Sequence, residues 1–273
     1  MRSLSLLCAG AVGLCSLHAG ENPDQVLEKQ TTVFDSGAWA KLLQNPLSPI
    51  TRVDLETSFD FGIDPYNGNR ITPNIKFNIP ARLSEDWWLL TPASNPIVFQ
   101  HGVFDDEHSS ESGLGDMFQS FWLSPNHSSG EGLFWGAGAI FLFPFATERQ
   151  IGLRTWAAGP EAAIAWQNGP WTYSLTAHHM WSYAGSGDHI SETFFIPHCA
   201  YTFDEGFTVS AMIPADYDWK NHRWLLPVIL DFSQTFDAFG QPFCVGIYGS
   251  YYIKTYDKMP EWGVGFRIVW AMP

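Results

Sequence analysis

The chain is short of basic residues: 14 Lys and Arg stand against 28 Asp and Glu in 273 residues, a formal net charge of −14. Such a balance repels polyanions and argues against a nucleic-acid partner. Cysteine is scarce. Two of the four, Cys8 and Cys15, fall in the first fifteen residues, leaving Cys199 and Cys244, too few for a disulfide framework. No later run of 18 apolar residues exists, which excludes a membrane-spanning helix. It does not exclude a membrane, because the alternating strands of a barrel keep mean hydropathy low. No Lys-Ser or Lys-Thr follows Gly113-Leu114-Gly115-Asp116, and no βαβ pattern surrounds it, so a phosphate loop is excluded and the motif reads as a turn entering a strand.

Sites for chemistry are thin as well. His178, His179, His189 and His198 cluster in sequence, but the only tight spacing is the adjacent pair, whose rings point to opposite faces of a strand. Imidazole suits zinc or copper, yet neither a metal nor another cofactor is expected. His108-Ser109-Ser110 and His127-Ser128-Ser129 place serines near histidines in loops, with no orienting Asn or Asp in evidence, so no enzyme is expected.

What the chain has in excess is aromatic residues: 13 Trp, 21 Phe and 9 Tyr. Rings in this number suit the two lipid–water interfaces of a membrane barrel better than a soluble core. The amino terminus reads as a signal peptide over 1–19, with Arg2 as its positive end, an apolar stretch from Leu4 to Leu17, and Leu17-His18-Ala19 before the cut. Gly13-Leu14-Cys15 lacks a small residue before the cysteine, which argues against a lipoprotein. Residues 20–50 read as a periplasmic or plugging segment. Asp35 or Ser36 can cap a short helix through Ala38-Trp39-Ala40-Lys41-Leu42-Leu43-Gln44, which Asn45-Pro46 ends.

From Arg52 the period is two. Asp54, Glu56, Ser58 and Asp60 alternate with Val53, Leu55, Thr57, Phe59 and Phe61. Residues 71–79 repeat the pattern. In 171–183 one face carries Trp171, Tyr173, Leu175, Ala177, His179, Trp181 and Tyr183, aromatic at both ends. Ten such residues at about 3.3 Å, tilted about 40°, cover roughly 25 Å, the height of a barrel's apolar band. His179 interrupts that face and predicts a bulge or a polar partner on a neighbouring strand. Further strands are expected near 87–99, 115–124, 133–145, 156–167, 191–203, 207–217, 224–235, 243–255 and 262–270. The total of about twelve is even, as a single-chain bacterial barrel requires.

Tight turns at Asn168-Gly169-Pro170 and Asp204-Glu205-Gly206 contrast with a long acidic loop from Gln100 to Leu114. The short turns are expected on the periplasmic side, with the long loop and the turns near Tyr66 and Gly185 outside. Phe236 to Pro242 reads as longer than a periplasmic turn needs. In the last strand Trp262, Val264, Phe266, Ile268 and Trp270 share one face, although Ala271-Met272-Pro273 runs past the final aromatic.

Several motifs occur in order: Leu43-Gln44-Asn45-Pro46-Leu47, Asn74-Ile75-Lys76-Phe77-Asn78-Ile79-Pro80, Ser112-Gly113-Leu114-Gly115-Asp116, Trp135-Gly136-Ala137-Gly138, Ala158-Gly159-Pro160, Gly169-Pro170-Trp171-Thr172-Tyr173, Trp181-Ser182-Tyr183-Ala184-Gly185, Asp216-Tyr217-Asp218-Trp219 and Pro260-Glu261-Trp262-Gly263. From about residue 40 onward the chain resembles the MetA-pathway of phenol degradation family, a group of transporter-like outer-membrane proteins. The resemblance implies a barrel and a channel or transporter; it implies no catalytic set.

The expected fold is therefore an all-β transmembrane antiparallel up-and-down barrel of about twelve strands in the cell outer membrane. Strand parity makes Asp54, Glu56, Asp60, Lys76, Glu161, His178, Glu192, Asp231, Lys254 and Arg267 the candidate lumen-lining residues. Their acidic excess would favour cations or neutral polar solutes, unless the charges pair across strands and fill a narrow lumen. Parity also puts Cys199 and Cys244 on opposite faces, as two unpaired thiols. Phe134 to Phe145 is apolar on both faces. Its inward side suits either hydrophobic solutes or the packing of the amino-terminal segment. The expected function is passage of small, hydrophobic or aromatic, solutes, with membrane lipid and the outer-membrane assembly machinery as partners. A sealed structural barrel and a soluble periplasmic ligand-binding β-sandwich are the alternatives.

Overall fold

The computed structural model describes residues 34–104, 109–126 and 131–272. The leader over 1–19, most of the segment before Asp35, and the His127-Ser128-Ser129 run lie outside these residues. Among the described residues a single helix, α1 (Ser36–Gln44), precedes the strands. Asp35 caps it, accepting from Ala38 N at 2.9 Å, and Asn45 ends it.

The described strands are β1 (Thr51–Ile63), β2 (Gly68–Asn78), β3 (Ala81–Arg82), β4 (Trp87–Leu90), β5 (Ala93–His101), β6 (Ser110–Leu114), β7 (Met117–Pro125), β8 (Gly132–Phe143), β9 (Thr155–Asn168), β10 (Trp171–Gly185), β11 (Ser191–Thr202), β12 (Phe207–Met212), β13 (Ala215–Asp218), β14 (Arg223–Ala238), β15 (Gln241–Lys254) and β16 (Trp262–Met272). Four interruptions split what are single staves: β2 with β3, β4 with β5, β6 with β7, and β12 with β13. The result is a closed antiparallel barrel of 12 staves. Closure is made by β1 against β16, with Leu55 opposite Ile268 and Glu56 opposite Arg267. Closure leaves no free sheet edge, which is what a strand protein needs inside hydrocarbon.

Three of the interruptions follow from proline or from a buried acid. Pro92 lacks an N–H and breaks β4 from β5, and Pro214 breaks β12 from β13. Between β6 and β7, Asp116 is buried and accepts from Ala146 N at 3.1 Å and Leu153 N at 2.6 Å. The Gly115-Asp116 step, expected as a turn entering a strand, directly precedes β7 and anchors residues 144–154 within a stave. The long loop expected from Gln100 to Leu114 is correspondingly shorter, because β5 runs to His101 and β6 starts at Ser110. The connection expected to be long at Phe236 to Pro242 is a two-residue turn at Phe239-Gly240. Both residues take positive φ, 60° and 75°, the mirror-image turn whose twist matches its strands.

Connections at 83–86, 126–131, 169–170, 203–206 and 239–240 lie at one end, here the turn end. Those at 64–67, 102–109, 144–154, 186–190, 219–222 and 255–261 lie at the other, the loop end. Outward positions between the ends carry exposed apolar side chains such as Leu55, Ile71, Ile164, Leu175, Leu230 and Ile247. Aromatic rings gather at both rims. Trp171 stacks on Tyr173 at 5.7 Å and meets Tyr201 edge-on at 4.9 Å at the turn end. Tyr217 packs on Trp219 and Trp224, at 4.8 and 4.7 Å, at the loop end. Water cannot stabilise so continuous a greasy belt with two aromatic rims; a bilayer does. The barrel is a membrane-spanning one of the outer-membrane kind.

His179 faces outward and finds its partners on β11: Thr193 Oγ1 at 2.6 Å and Ser191 Oγ at 3.4 Å. The ladder irregularity in β10 falls nearby, between Ser182 and Ala184. Cys199 and Cys244 are both free. Cys244 is buried inside, whereas Cys199 pairs in register with outward-facing Tyr173.

Candidate functional site

The inward face is polar on one side and apolar on the other. On the polar side, strand pairing brings acids beside bases. Glu56 on β1 accepts from Lys76 on β2 and from Tyr248 Oη on β15 at 3.1 Å. Asp54 lies 3.6 Å from Arg52 on the same strand. Asp60 accepts from Ser58 Oγ at 3.0 Å. Asp231 on β14 is fully enclosed and takes the Arg267 guanidinium from β16 at 2.7 Å, with Ser233 Oγ at 3.3 Å. Lys254 stands exposed at the loop end of β15 and joins none of these pairs.

The remaining candidates gather around β9 to β13. Glu161 is buried and accepts from Trp122 Nε1; His178 Nδ1 approaches it at 3.4 Å. The His178 ring stacks on Phe194 at 4.6 Å. Glu192 sits between Met180 and Asp218 in register. Sequence reasoning missed Asp216 and Asp218, both buried, which fall opposite Phe194 and Glu192. Their parity matches that of Thr208 and Ser210 in the strand expected over 207–217, so the signal for Asp216 was present, and Asp218 lies one residue past the expected end. Asp218 is saturated: it accepts from Lys220 N, Asn221 N and Asn221 Nδ2, and from Arg223 Nε at 3.0 Å. Arg223 also lies over the Tyr256 ring at 3.8 Å. Burial and the negative charge of Asp216 push the hydroxyl of Tyr256, in the loop before β16, up to about 12.

The apolar side splits by depth. Near the turn end, Leu47 packs with Leu90, Trp122, Phe134, Ala163 and Ala165. Gly136 leaves room there for the Leu47 methyl, which a Cβ would meet at 2.7 Å. Leu43 packs with Cys244, Val269 and Ala271, with Trp39 and Ile50 against them. Asn45 Nδ2 donates to Gln167 Oε1 at 3.2 Å inside the barrel, and Gln167 Nε2 donates to the Lys41 carbonyl. Residues 36–50 therefore seat in the turn end of the lumen. At the rim, the Lys41 ammonium bonds Glu131 at 2.9 Å and holds its carboxyl below the usual glutamate range. Nearer the loop end, Ile140, Leu142, Ala157 and Met180 form a second cluster with Phe118, Ile190 and Phe194, and no residue of 36–50 belongs to it.

The histidines do not converge. His198 lies 3.4 Å from Ser174 Oγ, deeper than His178, and His189 meets Ser182 Oγ at 3.2 Å in a loop. Among the described residues no three His, Cys, Asp or Glu side chains could hold a metal ion. Of the serines noted near histidines, Ser109 bonds Glu111 at 3.0 Å, and Ser110 Oγ lies 2.9 Å from His101 Nδ1 at the loop-end rim.

No family model matches the chain, and no curated protein matches it. Among solved structures, the COG4313 outer membrane channel from Pseudomonas putida F1 superimposes with a TM-score of 0.68 at 12% identity, covering 82% of this chain and 96% of that one. The NanC porin follows at 0.51 and 9% identity, covering 81% and 99%. Outer membrane phospholipase A from Escherichia coli reaches only 0.48 at 12% identity, covering 87% and 98%, too slight a likeness to argue from. At these identities the likeness establishes the fold, that of outer-membrane channels and porins.

Proposed function

We propose that the protein is an outer-membrane channel for small apolar or aromatic solutes, with the ten inward-parity residues, from Asp54 to Arg267, lining its path. The observation that carries this reading is the apolar wall of half-buried Phe118, Ile190 and Phe194, lying over the buried Ile140, Leu142, Ala157 and Met180, in a closed barrel that also has a polar wall. A sealed core would bury such a wall against other apolar groups; a solute path would leave it as a surface for a greasy ligand. The neutralised pairs Glu56–Lys76 and Asp231–Arg267 weaken the field that an acidic lumen would otherwise exert. On this reading residues 1–19 are a leader, 20–50 a plug segment and 51–273 the barrel. Lipid and the assembly machinery are its partners, and the cell outer membrane is its site.

The seat of residues 36–50 favours a second reading, a barrel closed at its turn end. Uptake assays with liposomes holding the full chain separate the two, using benzyl alcohol and a sugar of similar mass. Faster entry of the aromatic supports the channel. No entry of either, together with entry once residues 20–50 are deleted, supports the closed barrel. No entry in both forms refutes the channel.

A further inference from the structure

The polar wall is not uniformly neutralised. Asp54, Glu56, Asp218 and Asp231 each have a basic partner within 4 Å. Glu192 and Asp216 have none among the described residues, and they are diagonal neighbours on β11 and β13. One arginine, Arg223, serves three carboxylates there, and it is spent on Asp218 and the Tyr256 ring. Asp216 is only 5% exposed, and its Oδ1 has no hydrogen-bond partner. His178 adds an independent sign. Its side chain is 9% exposed, neither ring nitrogen makes a hydrogen bond, and it stands across from Phe194, whose other neighbour in register is Asp216. Buried carboxyls without a partner tend to hold their proton, and a ligand that supplies the opposite charge restores their charged form.

The surroundings narrow the ligand. Across the β10–β11 ladder from Glu192 is Met180, and Met180 belongs to the apolar cluster of Ile140, Leu142 and Ala157; Phe194 packs against the same cluster. Met180 itself is buried, and half-buried Phe194 and Ile190 over the cluster bring apolar surface within one side chain's reach of the acids. A bare metal ion is unsuited, because among the described residues no three ligating side chains converge. A protonated amine needs only one or two carboxylates for its N–H groups and an apolar surface for its body.

We infer that Glu192 and Asp216, with half-buried Phe194 and Ile190 beside them, form a binding site for amphipathic organic cations, that is, primary ammonium groups on a small apolar or aromatic body. Glu192, half-buried, receives the ammonium first, and Asp216 Oδ1 accepts a second N–H. Asp218 stays with Arg223. The inference deepens the channel reading by naming its substrate class and rests on it for transport, though not for binding.

Three probes of equal size separate the contributions: 2-phenylethylammonium, 2-phenylethanol and phenylacetate. Binding is followed by calorimetry on the full chain in detergent micelles, and flux by uptake into liposomes. The ammonium should bind about tenfold more tightly than the alcohol, the scale of one charge-assisted hydrogen bond, and phenylacetate should bind least. Glu192→Gln with Asp216→Asn should erase the ammonium preference and leave the alcohol unchanged. Heat-modifiable gel mobility checks that this variant folds, and Glu192→Asp should retain part of the preference even if the double variant does not fold. Equal binding of ammonium and alcohol, or a preference that survives in a folded double variant, overturns the inference. Selective binding without flux of any probe upholds the site and refutes the channel; flux of all three at equal rates upholds the channel and refutes the site.

Discussion

Replacing Arg267 with Ala should destabilise the barrel far more than replacing Arg267 and Asp231 together. The two charges meet at 2.7 Å with Asp231 fully enclosed. At an effective dielectric near 20 their attraction is about 6 kcal/mol, most of it offset by desolvation. Removing one partner is another matter. Arg267→Ala strands a carboxylate inside the wall, with the Ser233 hydroxyl beside the vacated space, at a cost of about 3–5 kcal/mol. Arg267→Met with Asp231→Leu removes both charges, keeps most of the volume, and should fall within about 1–2 kcal/mol of the parent.

Urea unfolding from lipid vesicles, followed by tryptophan fluorescence, measures both variants. Reversal potentials in a KCl gradient give a second readout: the single variant leaves one more negative charge and should move selectivity toward cations, and the double variant should return it. Equal losses of stability in single and double variants would refute the pairing argument. Unchanged selectivity in a conducting single variant would remove Arg267 from the ion path.

Two further predictions concern the turn end. The Glu131 carboxyl is held low by Lys41, so the tie to α1 is intact above the ordinary glutamate value of about 4.3 and is lost as pH falls through the lower folded value. Conductance should therefore rise in that acid window in the parent but not in Lys41→Met; an identical acid profile in both would refute the link. Cys244 lies beneath Leu43, so a water-soluble maleimide should label it only when residues 36–50 leave their seat. Rapid labelling of the parent, measured by mass shift, would contradict that packing.

The staves were legible because a half-lipid, half-lumen strand must alternate, and Val53 to Phe61 and Trp171 to Tyr183 alternate with one polar outward position each, Thr57 and His179. Features that depend on which strands lie side by side were not legible. The contact of Trp122 with Glu161 joins β7 to β9 across β8, and Tyr248 reaches Glu56 across the closing strand β16; no local pattern encodes either. Asp216 was legible by parity inside the strand expected over 207–217, and Asp218 fell one residue past its expected end. Phe239 misled because a bulky residue at positive φ is uncommon, although Gly240 beside it suits the mirror-image turn. Composition shows an acid excess, but its division into ion pairs and carboxylates without a basic partner emerges only from register.

Depth divides the apolar wall into two parts with different roles, and Leu47 tests the division. Fully burying an aliphatic side chain contributes about 1.5–3 kcal/mol, so Leu43 and Leu47 together hold residues 36–50 by about 3–6 kcal/mol before the Asn45–Gln167 bond is counted. The seated state then outnumbers the released one by more than about a hundredfold. Leu47→Ala should cost about 2–5 kcal/mol of that seat and raise the released fraction at least thirtyfold. The loop-end cluster of Ile140, Leu142 and Met180 does not touch Leu47 and should be unaffected. Single-channel recording should accordingly show more frequent opening in Leu47→Ala with unchanged affinity for apolar probes. Unchanged opening would mean that residues 36–50 do not limit passage, and the path would then have to run past them while they stay seated.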